Sequence, residues 1–121
     1  MPTVVHFEIP VDDIERARKF YSELFGWEIK DSGMPGAEYF SVMTTGENPV
    51  HGGMMKRQQP QQQISQYIDV SSLDEYEAKV KELGGTVLVT KSPVPGMGFF
   101  AVCLDTEGNV FGIWEENKEA Q

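Results

Sequence analysis

Cysteine is nearly absent from this chain, and basic residues are few. Cys103 stands alone among 121 residues, so no internal disulfide can form and a Cys-x-x-Cys redox or zinc motif is excluded. Its neighbourhood, FFAVCL, is apolar and carries no positive charge to lower a thiol pKa, so a buried, reduced side chain is expected rather than a nucleophile. Lys and Arg number 10 against 19 Asp and Glu, a net charge of −9. Nucleic-acid binding draws most of its affinity from basic side chains on phosphates, so DNA and RNA are set aside as partners, and an anionic membrane surface is disfavoured likewise. Long hydrophobic runs are missing, and MPTVVHFEIP has neither the basic segment nor the apolar stretch of a signal peptide or anchor, which points to a cytoplasmic protein. No dinucleotide fingerprint or Ser-His-Asp order is present. GENPVHGGM has glycines but no Lys-Ser/Thr pair and no helix signal after it, so it is not a phosphate loop.

With 40% hydrophobic and 24% charged residues, the chain has the composition of one globular domain long enough to build a core without staples. Its most informative feature is an internal repeat. HFEIPVDDIERARKFYSELFGWEI (6–29) lies over SQYIDVSSLDEYEAKVKELGGTVL (65–88) without a gap, an offset of 59 residues that places Ile9 on Ile68, Val11 on Val70, Ile14 on Leu73 and Gly26 on Gly85. Each half opens with a strand, over 3–10 and 64–70, read from alternating polarity. A helix follows, with an apolar stripe of Ile14, Ala17, Tyr21 and Leu24 in one half and Leu73, Tyr76, Val80 and Leu83 in the other. Asp12 or Asp13 caps the first helix, and Ser72 with Glu75 forms a capping-box pattern at the second. Gly26 and Gly84-Gly85 supply left-handed residues to end them. Three more strands are expected in each half, near 27–30, 37–44 and 50–57, then 86–90, 98–104 and 109–115, separated by turn clusters such as SPVPGMG and DTEGN. The chain thus reads as a single α+β domain of two βαβββ modules, about 1–57 and 64–117. The polar stretch KRQQPQQQ supplies an exposed linker, about 58–63, and the tail ENKEAQ is expected to fray.

This tandem arrangement, with Phe20-Tyr21, the Phe25-Gly26-Trp27 turn and the Asp105-x-Glu107-Gly108-Asn109 turn, resembles the vicinal oxygen chelate superfamily, which includes glyoxalase I, bleomycin resistance proteins and extradiol dioxygenases. The resemblance spans nearly the whole chain. It implies mixed sheets that form an open cup with helices outside, a small-molecule or metal site within, and frequent homodimers. Metal-using members place ligands on the first and fourth strands of each module. Those positions map here onto His6, Gly53, Ser65 and Gly112, and only one of the four is a good ligand. Gly53 and Gly112 are also equivalent by the internal repeat. Since Lewis-acid chemistry needs about three His or carboxylate ligands with open positions left over, the expectation is no cofactor and no metal.

Period two points Val5, Phe7 and Ile9 towards the helices and His6 and Glu8 into the cup, as an acid/base or ligand-contacting pair. His51 lies two residues before Gly53 and points the same way, and the paired Gly52-Gly53 reads as room for something to approach the backbone. In the second module Ser65, Tyr67, Asp69, Gly112 and Trp114 share the cup face, where Tyr67 and Trp114 form aromatic walls suited to a planar ligand. The favoured function is therefore that of a glyoxalase/bleomycin-resistance-like protein that binds a small, partly apolar organic ligand, either sequestering it or acting on it without metal through His6 and Glu8. The alternative is a lyase, isomerase or dioxygenase with a shifted divalent ion (iron, nickel, zinc or manganese) on His6, Glu8 and His51.

Overall fold

The computed structural model describes residues 1–121 and groups them into two compact units, one of His6–Ile64 and one of Ser65–Gln121 together with Met1–Val5. Chain order is β1 (Val4–Val11), α1 (Ile14–Phe25), β2 (Glu28–Asp31), β3 (Tyr39–Met43), β4 (His51–Lys56), β5 (Ser65–Asp69), α2 (Leu73–Glu82), β6 (Thr86–Val94), β7 (Gly98–Leu104) and β8 (Val110–Glu116). The βαβββ unit is used twice.

In the first unit the strands lie in the order β2-β3-β4-β1, with β1 and β4 parallel and the other pairs antiparallel. Parallel neighbours need a long crossover, and α1, β2 and β3 supply it. Asp13 caps α1 by accepting from the Arg16 N–H at 3.0 Å. The helix ends at Gly26, whose φ of 74° is a left-handed turn that a side chain would strain. Its apolar stripe packs Ile14, Ala17 and Tyr21 against Ile9, Val11, Ile29, Phe40, Val42 and Met54. Full burial of a side chain such as Met54 contributes about 1.5–3 kcal/mol.

The stripe stops one turn earlier than its spacing predicts, because Leu24 is 56% exposed. Trp27 takes its place from beyond the helix, stacking on Tyr21 at 5.6 Å between ring centroids. Val5 also departs from expectation, lying outside the core.

The second unit repeats the plan as β5-β8-β7-β6, with β5 and β8 parallel. Its core joins Val70, Leu73, Ala101, Cys103 and Ile113, flanked by Tyr76, Val80 and Val87. Ser72 caps α2 through the Glu75 N–H, and Glu115 on β8 accepts the next open donor, the Leu73 N–H, at 2.7 Å. Leu83, expected in the stripe, ends the helix in solvent instead. Gly84 turns left-handed at φ 95° while Gly85 does not.

Three stretches are more ordered than their composition predicts. Ser92–Val94, expected to be turn, belongs to β6 and pairs in register with Gly98–Phe100, after two register shifts between Val87 and Ser92. Pro93 is tolerated because β6 ends the sheet. The tail is docked rather than frayed: Ala120 is buried, its carbonyl accepts from the Gly96 N–H at 2.9 Å, and the Asn117 N–H donates to Met97. The Gln-rich connector is mostly exposed but folds around Arg57. That guanidinium reaches Asp12 at 3.1 Å, the Pro10 carbonyl at 3.2 Å and the Gln62 carbonyl. No helix is long and apolar enough to cross a membrane.

Candidate functional site

Register decides which side chains meet. In the first unit β1 pairs with β4 as His6↔His51 and Glu8↔Gly53, and β4 pairs with β3 as Gly53↔Ser41 and Met55↔Tyr39. Directly paired residues point to the same side of a sheet. His6, Glu8, His51, Tyr39 and Ser41 therefore share the face away from α1, whose own face carries Phe7, Ile9 and Met54.

On that face His6 Nε2 lies 2.8 Å from the Tyr39 hydroxyl, which donates to Glu8 Oε2 at 3.1 Å. All three are half-buried. Burial lowers the His6 pKa from its ordinary value, because the imidazolium loses hydration there. His51 is engaged differently. Its Nδ1 accepts the Thr44 backbone N–H at 3.1 Å, at the turn where the Thr44 hydroxyl holds the Val50 carbonyl at 2.7 Å.

Tyr39 and Thr44 were not singled out from the sequence. For Tyr39 two signals were present. Phe40 and Val42 point to the core and so send Tyr39 to the other face, and a glycine in a central strand marks a bulky neighbour. A Cβ on Gly53 would overlap the Tyr39 hydroxyl and ring, and one on Gly52 would overlap the Phe7 ring on the opposite face. What approaches the Gly52-Gly53 backbone is the protein's own pair of aromatic rings.

The second unit solves the same problem the same way. Tyr67 pairs with Gly112 and Asp69 with Trp114, which puts Tyr67, Asp69, Gly112 and Trp114 on one face with half-buried Ser65 at the head of β5. The Tyr67 ring covers the space a Gly112 side chain would fill, and the Trp114 indole covers Gly98. Asp69 holds the N-terminal segment, its Oδ1 accepting the Thr3 N–H at 2.7 Å and its N–H donating to the Thr3 carbonyl at 3.0 Å. Cys103 is buried, and burial, then the charge of Glu77, push its thiol pKa up.

Comparison with known proteins matches this architecture to a family. A glyoxylase-like domain-containing protein of Didymella fabae is 34% identical over 115 residues, covering 88% of this chain and 88% of that protein. The chain belongs to the glyoxalase/bleomycin resistance/dioxygenase superfamily. The bleomycin resistance protein-like N-terminal family matches residues 3–46. A putative glyoxylase, CFP32, of Mycobacterium bovis is 28% identical over 92% of this chain, which spans only 44% of that protein's length. Among solved structures, a superfamily member from Vibrio splendidus superposes with a TM-score of 0.68 at 16% identity, covering 97% of this chain and 100% of that one.

The superfamily's metal arrangement does not fit the residues present. Two of its four positions, Gly53 and Gly112, have no donor atom, and a side chain at either would collide with the tyrosine covering it. No group of three or more His, Cys, Asp or Glu side chains is placed to hold a metal ion.

Proposed function

We propose that this superfamily member binds a small, partly apolar organic molecule on the face of the first unit that carries His6, Glu8, Tyr39 and His51, without a resident metal ion. The observation that carries the reading is the half-buried His6–Tyr39–Glu8 chain. A phenol there orients an imidazole and a carboxylate side by side, and Met55 pairs with Tyr39 to extend the face with an adaptable apolar surface. The same groups supply a proton donor and acceptor, so turnover on this face is metal-free proton transfer.

The test is elemental analysis of purified protein, then thermal unfolding with nickel, zinc, iron and manganese and against a panel of small aromatic and aliphatic compounds. The expected result is no stoichiometric metal, a flat response to all four ions, and stabilisation by a subset of the organics that Glu8→Ala abolishes. A stoichiometric transition metal, lost together with ligand response on His6→Ala, would overturn the proposal.

The competing arrangement, a divalent ion on His6, Glu8 and His51, has His51 against it. Accepting the Thr44 N–H requires Nδ1 to be unprotonated, which puts the proton of a neutral ring on Nε2. Neither nitrogen can then ligate a metal without giving up its proton or its bond. We extend the proposal to a cytoplasmic homodimer; a monomeric mass by light scattering at working concentration removes the dimer.

A further inference from the structure

Helix α1 carries two of its end charges the wrong way round for its own dipole. A helix favours acidic side chains in its first turn and basic ones in its last, where they meet the partial charges of the open N–H and C=O groups. Here Arg16 stands in the first turn and Glu23 in the last, which holds no basic residue. Arg18 and Glu15 pair with each other at 3.5 Å, whereas Arg16 and Glu23 take part in no ion pair within the chain. Both lie exposed on one stripe with Phe20, since positions three and four apart share a helix face. Phe20 is 59% exposed, with Leu24 at the margin of the stripe. The Phe20 ring is held in place: it meets the Tyr21 ring edge-on at 5.3 Å, and Tyr21 is stacked on Trp27. A supported aromatic on the surface, flanked by two unpaired charges of opposite sign, has the makeup of an interface centre.

We propose that this stripe binds a second copy of the chain, with α1 lying antiparallel on α1 about a two-fold axis at Phe20. At a rise of about 1.5 Å per residue, Arg16 lies about 6 Å to one side of Phe20 along the helix and Glu23 about 4.5 Å to the other. Antiparallel pairing therefore sets Arg16 of each copy nearly level with Glu23 of the other, forming two equivalent ion pairs with the two Phe20 rings between them. It also brings each misplaced charge beside the end of the second helix whose dipole favours it. The stripe is thus complementary to itself, as a two-fold interface requires, and this singles out a second copy over a foreign protein. The assignment rests on the homodimer proposed above and names the surface that forms it. The His6–Tyr39–Glu8 face is left free, because it lies on the side of the strands away from α1.

The experiment is sedimentation velocity of the full chain over a range of concentrations at low salt, comparing wild type with Arg16→Glu, Glu23→Arg and the double variant. Each reversal gives its helix end the charge the dipole favours, so the fold is not at risk. The wild type is expected to be a dimer, and each single variant to dissociate at about tenfold higher concentration, as two attractive pairs become repulsive. The double variant rebuilds both pairs in reverse and is expected to return to the wild-type value. Phe20→Cys, oxidised with copper phenanthroline, is expected to run as a disulfide-linked dimer on a non-reducing gel, since the buried Cys103 takes no part. A wild type that is monomeric throughout overturns the interface and the homodimer together. A dimer that ignores both single reversals, or that the double variant does not restore, overturns the interface and leaves the homodimer standing. So does a dimeric Phe20→Cys protein that fails to cross-link.

Discussion

A methyl group at Gly53 would run into a tyrosine that is itself held at its hydroxyl by His6 and Glu8, so the ring cannot swing away without breaking both contacts. Gly53→Ala is expected to destabilise by about 1–3 kcal/mol, the usual range for overpacking, read as a lower urea midpoint. Adding Tyr39→Ala should recover part of the loss. Gly52→Ala should cost more, since its Cβ would also lie 2.6 Å from the Phe7 carbonyl, which is backbone and cannot rotate aside. His6 carries a pH signature. Its folded pKa is lowered below the ordinary 6.5, so above that value both folded and unfolded states are neutral. As pH falls through 6.5 the unfolded chain takes up a proton that the folded one resists, so stability declines until the folded pKa is reached. Denaturation at several pH values should show that decline, and His6→Gln should flatten it.

Helices in this chain are set by their first turns more than by their last. Ile14 and Leu73, the first residues of α1 and α2, are buried, while Leu24 and Leu83 near the ends are exposed. Ile14→Ala and Leu73→Ala should each cost about 2–5 kcal/mol, and Leu24→Ala and Leu83→Ala less than about 0.5 kcal/mol, a contrast that equilibrium denaturation resolves. Ser72→Ala should cost about 1 kcal/mol through the lost cap. At this scale the sequence was informative. The 59-residue offset reappears in the strand pairing, where Glu8↔Gly53 and Tyr67↔Gly112 occupy the same place in the two units. Alternation and spacing are local properties, so the eight strands and two helices could be read from them. The site was less legible. His6 and Glu8 follow from parity on one strand, but their connection runs through Tyr39, which is brought beside them by the β3–β4–β1 order. The docked tail escaped for the same reason, because Ala120 is polar-flanked and the bonds that dock the tail come from Gly96 and Met97, distant in sequence.

For the molecule as a whole, charge and edges matter more than any single contact. A net charge of −9 and a pI near 4.6 predict a solubility minimum close to that pH, where self-repulsion vanishes; turbidity against pH measures it. Phe20, Leu24 and Phe25 are each more than half exposed on α1, and Phe20→Glu should disperse the homodimer proposed above, as scattering would register. The strands at two sheet ends behave otherwise. β2 is four residues long and offers Glu28, Lys30 and Asp31, while β6 has exposed Leu88 and Val89 but is broken by two register shifts and contains Pro93. A foreign strand laid along β6 finds its hydrogen-bond ladder out of step and one donor missing. The bends of β6 thus act as a guard against fibril growth, and concentrated solutions should stay free of thioflavin-positive material until Pro93→Val and a straightened Leu88–Ser92 segment restore a continuous template.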